Sequence, residues 1–128
     1  MLCVGAAFSK GDILGPYLDI GEPLYRNASV GNIDPTHFED PVLGNYLIWK
    51  EDGNGRIPPE KYTPIWAQQL SANGLSFYPG SERVNILQND PNSWEGPLVE
   101  APWMISRGGM YSFMCHLLCL DLALRHCL

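Results

Sequence analysis

Positive charge is scarce in this chain, with 8 Lys and Arg against 14 Asp and Glu and a formal net charge of −6. A polyanion finds no electrostatic footprint on such a composition, so nucleic acid is not an expected partner. Charge of either sign is thin, at 17% of residues against a usual share of about 25%. The four cysteines, Cys3, Cys115, Cys119 and Cys127, stand near the two ends. A disulfide-stapled scaffold would need them across the middle, so the fold is expected to hold without bridges. No apolar run reaches the ~18 residues that a membrane-crossing helix needs. The most apolar stretch, residues 110–128, is interrupted by His116, Asp121 and Arg125, and no membrane partner is expected. The first ten residues carry neither a basic leader nor an apolar region of secretory length, and they read like the interior of a domain.

What the 128 residues do have is turn chemistry: 13 glycines and 11 prolines, well above their usual combined share of roughly 12%. Helix signals are nearly missing before residue 114. Short apolar or aromatic runs at residues 4–8, 17–20, 36–38, 46–50, 64–70, 83–88, 103–106 and 110–114 have the length of strands. Between them lie Asp52-Gly53-Asn54-Gly55, Asn73-Gly74, Pro79-Gly80 and Gly108-Gly109, residues that supply tight turns or open loops. The fold class expected is all-β.

A weak internal repeat organises these strands. Ile33-Asp34-Pro35-Thr36-His37-Phe38, followed by residues 44–49, aligns with Val99-Glu100-Ala101-Pro102-Trp103-Met104, followed by residues 109–114, at an offset of 65 or 66. Residues 4–9 and 65–71 form a second pair, at 61 or 62. A four-stranded unit recurring at this interval is what a β-propeller produces, because one blade cannot bury both faces and stacks radially on its neighbours.

The two carboxylate motifs, Asn32-Ile33-Asp34-Pro35-Thr36-His37-Phe38 and Trp94-Glu95-Gly96-Pro97-Leu98-Val99-Glu100-Ala101-Pro102-Trp103, resemble glycoside hydrolase family 43, over a span from about residue 4 to about residue 113. The resemblance implies part of a five-bladed β-propeller, about two four-stranded blades, over residues 1–114, with a divergent apolar tail at 115–128. It implies hydrolysis of O-glycosyl bonds by inversion, as in arabinanases, arabinofuranosidases and β-xylosidases, with a pentose-containing polysaccharide or oligosaccharide as ligand. It assigns Glu100 as general acid and Asp34 as the carboxylate that orients it. Inversion needs one carboxyl to protonate the leaving oxygen and another, across the ring, to activate water. A neighbouring like charge and an apolar wall at Trp94 or Trp103 would favour a protonated acid.

The family carries its general base on an aspartate of the first blade, upstream of Ile-Asp-Pro, and this chain is expected to begin too late to contain it. Asp12 and Asp19 fall in a later turn and strand and do not inherit the role. General acid or base assistance is typically worth about 10²–10⁴-fold, so little hydrolysis is expected of the chain by itself. No cofactor is expected, because the calcium site of some relatives lies in a later blade. Extracellular localisation is expected of the family, while this sequence assigns no compartment.

Other residues have plainer readings. Trp49 and Trp66 fall in strand interiors and are expected to pack between blades, whereas Trp94 and Trp103 flank the acid motif and could stack on sugar. Phe38 could do either. His37 has no partner at zinc-like spacing, and Cys115, His116, Cys119, His126 and Cys127 match no recognised zinc pattern. Asn27-Ala28-Ser29 is a glycosylation sequon. The alternative to an enzyme is a noncatalytic piece that binds pentose glycans through its aromatics or packs on another chain. Open blade edges also invite self-association.

Overall fold

A computed structural model of the chain describes residues 2–53 and 62–117. The described residues contain eight strands and no helix: β1 (Ala7–Phe8), β2 (Leu18–Asp19), β3 (Gly31–Asp40), β4 (Gly44–Asp52), β5 (Ile65–Gln69), β6 (Val84–Leu87), β7 (Val99–Arg107) and β8 (Met110–Leu117). They form three antiparallel sheets, β1-β2, β3-β4-β5-β6 and β7-β8, each strand pairing with its neighbour in sequence. The central sheet is a complete four-stranded blade, flanked by two half blades. The all-β partial propeller expected from the sequence is what the chain forms. Strand β8 runs to Leu117, into the stretch set apart as a tail. The rest of that tail, and Asn54-Gly55 of the turn expected after β4, lie outside the described residues.

β3 and β7 begin well before the runs at 36–38 and 103–106 that mark them in sequence. Pro35 and Pro102 interrupt each strand, since proline cannot donate to a ladder. Each strand absorbs its proline in a bulge. Between Ile33 and Thr36 on β3, and between Glu100 and Trp103 on β7, one more residue is spent than on the partner strand. Asp34 and Ala101, immediately before the prolines, both have φ of 51°, a left-handed conformation that costs an L-residue about 1–2 kcal/mol. Asp34 and Ala101 are therefore equivalent positions, 67 residues apart. The repeat is offset from the alignment above, which set Asp34 against Glu100: Glu100 occupies the position of Ile33.

Alternation along β4 sends its side chains to opposite faces, and both faces are covered. Leu47 and Trp49 join Val4 and Leu70 in one core, with Leu24, Tyr25, Trp66 and Phe77 packed against it. Ile48 joins Phe38, Ile65 and Val99 in the other, with Met104, Phe113, Cys115 and Leu117 alongside. Trp49 is fully buried, as its strand-interior position predicts, and its ring meets Tyr25 at 4.7 Å. Burying each large apolar side chain is worth about 1.5–3 kcal/mol.

The two cores are successive copies of one blade-to-blade contact. Val4 sits in the first as Ile65 does in the second. Asn32 N donates to Leu2 O at 3.0 Å, and its counterpart Val99 N donates to Thr63 Oγ1 at 2.8 Å. β1 and β2 thus correspond to the third and fourth strands of a preceding blade. β7 and β8 correspond to the first and second strands of a following one.

Candidate active site

The bulge that accommodates Pro35 turns the Asp34 carboxylate toward the next blade. Its Oδ2 accepts a hydrogen bond from Ala101 N at 3.0 Å, one peptide beyond Glu100. A short polar side chain tolerates the left-handed region better than most. The same conformation thus aims Asp34 at the adjacent strand, and that strand carries its own bulge in register. Asp34 is half-buried and Glu100 has 28% of its side chain exposed.

Glu100 is held by groups that inspection of the motifs missed. Lys50 Nζ lies 2.8 Å from Glu100 Oε2 and 3.9 Å from Asp52 Oδ1, with the lysine side chain fully buried. His116 Nδ1 lies 3.9 Å from Glu100 Oε1, from the position directly opposite on β8. The residue brought against Glu100 from the central blade is therefore a cation, while Asp34 grips the backbone beside it. The signal for Lys50 was present: alternation places it on the same face as buried Ile48, where lysine is rare unless paired. Which neighbour it would meet depends on how blades stack, and that is not written in a single strand.

The arrangement at this point gives one carboxyl anchored at one oxygen by an ammonium and open to solvent on part of its surface. A second carboxylate is fixed through a backbone amide next door. Trp103 is three residues along β7 from Glu100 and 56% exposed, and Trp94, in the segment that leads into β7, is 73% exposed. Both rings are free to meet a ligand. Trp66 is half-buried beneath the Arg83 guanidinium, 4.1 Å from its ring centroid, and donates to Glu51 Oε2 at 3.1 Å. Phe38 is in the core.

The remaining polar candidates have structural work. His37 Nε2 meets Asn45 Oδ1 at 2.9 Å across the β3-β4 hairpin. Asp12 and Asp19 accept turn amides, from Leu14 at 2.9 Å and Gly21 at 2.6 Å. Among the described residues, no three His, Cys, Asp or Glu side chains gather in a way that could hold a metal ion. At the other end of β3, Asp40 Oδ1 accepts from Val42 and Leu43 N at 2.8 and 2.7 Å, and its Oδ2 accepts from Tyr111 Oη at 2.5 Å. The Tyr111 hydroxyl, then the Leu43 and Val42 amides, hold the Asp40 carboxyl below its usual range.

A full antiparallel blade between two half blades, with the aspartate on the bulge of one first strand bonded to the backbone at the bulge of the next, defines part of a β-propeller. A solved structure described as that of a thermostable family-43 glycoside hydrolase is similar to this chain, with a TM-score of 0.67 and 26% identity over 83% of its length. The chain spans 35% of the length of that protein. No family model and no curated protein matches it. The chain resembles that family-43 glycoside hydrolase in its fold.

Proposed function

We propose that this chain carries the acid half of an inverting glycosidase site for arabinose- or xylose-containing plant polysaccharides. Glu100 is the proton donor to the leaving oxygen, and Asp34 is the carboxylate that fixes the strand beside it. The observation that supports this reading is the 3.0 Å hydrogen bond from Ala101 N to Asp34, which joins the two family motifs at one point between blades. Lys50 anchors Glu100 Oε2, and Oε1, with His116 Nδ1 at 3.9 Å, is the oxygen that serves substrate. No carboxylate among the described residues is assigned the general-base role, so the test supplies a nucleophile from solution.

Azide can stand in for the base-activated water by attacking the anomeric carbon on the face opposite the leaving group. The expected result with aryl arabinofuranosides or xylosides at pH 4–7 is slow release of the aglycone, accelerated by azide. An inverted glycosyl azide accumulates, and Glu100→Ala lowers the rate by about 10²-fold or more. Equal rates in wild type and Glu100→Ala, with and without azide, would remove the enzymatic reading. The exposed rings of Trp94 and Trp103 favour a second reading, glycan binding without turnover. Saturable binding of xylo- or arabino-oligosaccharides with no azide product would support it.

A further inference from the structure

Glu100 sits between two backbone amides that side chains of the central blade hold from either side. Downstream, Ala101 N donates to Asp34 Oδ2 at 3.0 Å. Upstream, Val99 N donates to Thr63 Oγ1 at 2.8 Å. The Glu100 side chain is fixed in turn by Lys50 Nζ at 2.8 Å. Thr63 stands two residues before β5, so β3, β4 and the lead into β5 each contribute one group that fixes a single residue of β7. Thr63 and Val99 are 0% and 1% exposed, and a buried amide deprived of its acceptor is costly. The Thr63 contact therefore sets where β7 starts as firmly as the Asp34 contact sets where it bulges.

The corresponding junction on the other side of the central blade is built differently. There Asn32 N donates to a backbone carbonyl, Leu2 O, at 3.0 Å, and a carbonyl accepts without passing a bond on. A hydroxyl also donates. Thr63 Oγ1 donates to Asn89 Oδ1 at 3.2 Å, and Thr63 N donates to the same oxygen at 2.9 Å. Asn89, 3% exposed, donates from Nδ2 to Gly96 O at 3.1 Å. Gly96 closes the turn that carries Trp94, where Gly96 N donates to Ser93 O at 3.3 Å. One continuous set of bonds thus runs from the Trp94 turn through Asn89 and Thr63 to the amide beside Glu100. At the other junction, with Ile33 in the position of Glu100, Leu2 stands in the place of Thr63, and its apolar side chain offers no such link.

We propose that Thr63, seated on Asn89, is a positioning residue for Glu100, a role that rests on the reading of Glu100 as the proton donor. Protonating a leaving oxygen requires the carboxyl within hydrogen-bond reach of it, and a misplacement of about 1 Å can cost about 10²-fold in rate. With Val99 N and Ala101 N both held, the backbone at Glu100 can neither slide nor tilt. Releasing the upstream amide lets that backbone pivot on the Asp34 contact and draws Oε1 away from where substrate meets it. Thr63 is buried and touches no ligand. When its hydroxyl is removed, Thr63 N still donates to Asn89 and Asn89 still holds Gly96. The Trp94 turn therefore keeps its place, and the loss falls on proton donation rather than on sugar affinity.

The test is Thr63→Val in the full chain, which keeps the shape and removes the hydroxyl, with Thr63→Ser as the conservative variant and azide as the nucleophile. Phenyl and dinitrophenyl arabinofuranosides or xylosides separate the outcomes, because dinitrophenolate leaves without a proton and phenolate does not. Thr63→Val is expected to lower the phenyl rate at least about tenfold and the dinitrophenyl rate less than about twofold, with KM within about twofold. Thr63→Ser is expected to keep both rates. Equal losses for the two leaving groups, or Thr63→Ser as slow as Thr63→Val, would overturn the proposal. A second readout needs no turnover. In chain carrying carboxyl-labelled glutamate, the Glu100 resonance, identified by its loss in Glu100→Gln, is expected to move in Thr63→Val and to stay in Thr63→Ser. A resonance unmoved in Thr63→Val would overturn the proposal as well. Should the unaltered chain release no aglycone with or without azide, the glycosidase reading falls, and this resonance alone decides whether Thr63 positions Glu100. If Thr63→Val does not fold, Thr63→Ala takes its place, since its gap admits a water that accepts from Val99 N without fixing it.

Discussion

Removing either partner of the Lys50–Glu100 pair should have unequal consequences, because the two side chains differ in access to water. Lys50 is fully buried and Glu100 is 28% exposed, with 2.8 Å between them. Glu100→Gln keeps the shape but leaves the buried ammonium against a neutral amide. Breaking a buried pair from one side costs about 3–5 kcal/mol. Here Asp52 remains at 3.9 Å and the glutamate was partly hydrated, so a loss of about 2 kcal/mol is expected, nearer the worth of a hydrogen bond to a charged group. Lys50→Met removes the buried charge and fills its space with apolar atoms. The stranded carboxylate turns to solvent, so the loss should stay below about 1 kcal/mol. The double variant should resemble Lys50→Met. In a domain of this size those figures correspond to falls in Tm of roughly 6–10 °C and under about 5 °C. Urea and thermal unfolding followed by fluorescence of buried Trp49 reads both. If Lys50→Met costs as much as Glu100→Gln, with the double variant worse than either, packing rather than the buried charge governs the loss and the reasoning fails.

Other outcomes follow from the same contacts. Asp34→Asn, which keeps an acceptor for Ala101 N and tolerates φ of 51°, should cost under about 1 kcal/mol. Asp34→Val, β-branched in that region and without an acceptor, should cost more than about 2 kcal/mol and speed hydrogen exchange at the Ala101 amide. Trp49→Ala should lose about 3–5 kcal/mol from the core it fills, whereas Trp94→Ala should stay within about 0.5 kcal/mol in unfolding measurements. Because Tyr111 and the turn amides hold the Asp40 carboxyl below its usual range, their contribution is complete above the unfolded carboxyl value. It is lost as pH falls through the lower folded value. Tyr111→Phe should therefore flatten the acid limb of a Tm profile between pH 2 and 6, and an unchanged limb would show that the contact contributes nothing.

The fold was legible wherever a strand carried an uninterrupted apolar run, as in residues 46–50 and 64–70, because alternation and turn residues are local signals. It was less legible at β3 and β7. There proline hides the first half of each strand, and only the bulge, a property of paired backbones, restores continuity. The repeat was visible, but its offset was drawn by aligning acidic residues with one another. The backbone matches Asp34 with Ala101, so the two acidic side chains come from neighbouring positions of successive blades. Neither Lys50 nor His116 could be read as a partner of Glu100, for a related reason. Each is defined by what stands opposite it, on a facing blade or a paired strand, and no spacing within one motif encodes that. Of the aromatic residues, Trp49 lies inside as its position suggested, Trp66, paired with it in that expectation, is only half-buried, and Trp94 and Trp103 lie outside.

The proposed function requires that the ground between Asp34 and Glu100 be a sugar site. It is most directly tested by titrating isotopically labelled chain with arabino- and xylo-oligosaccharides and following amide and indole resonances by NMR. Saturable shifts are expected, centred on Ala101 and the Trp103 indole and weakened in Glu100→Ala. Resonances there that stay fixed at millimolar sugar, or shifts confined to other faces of the molecule, would contradict it.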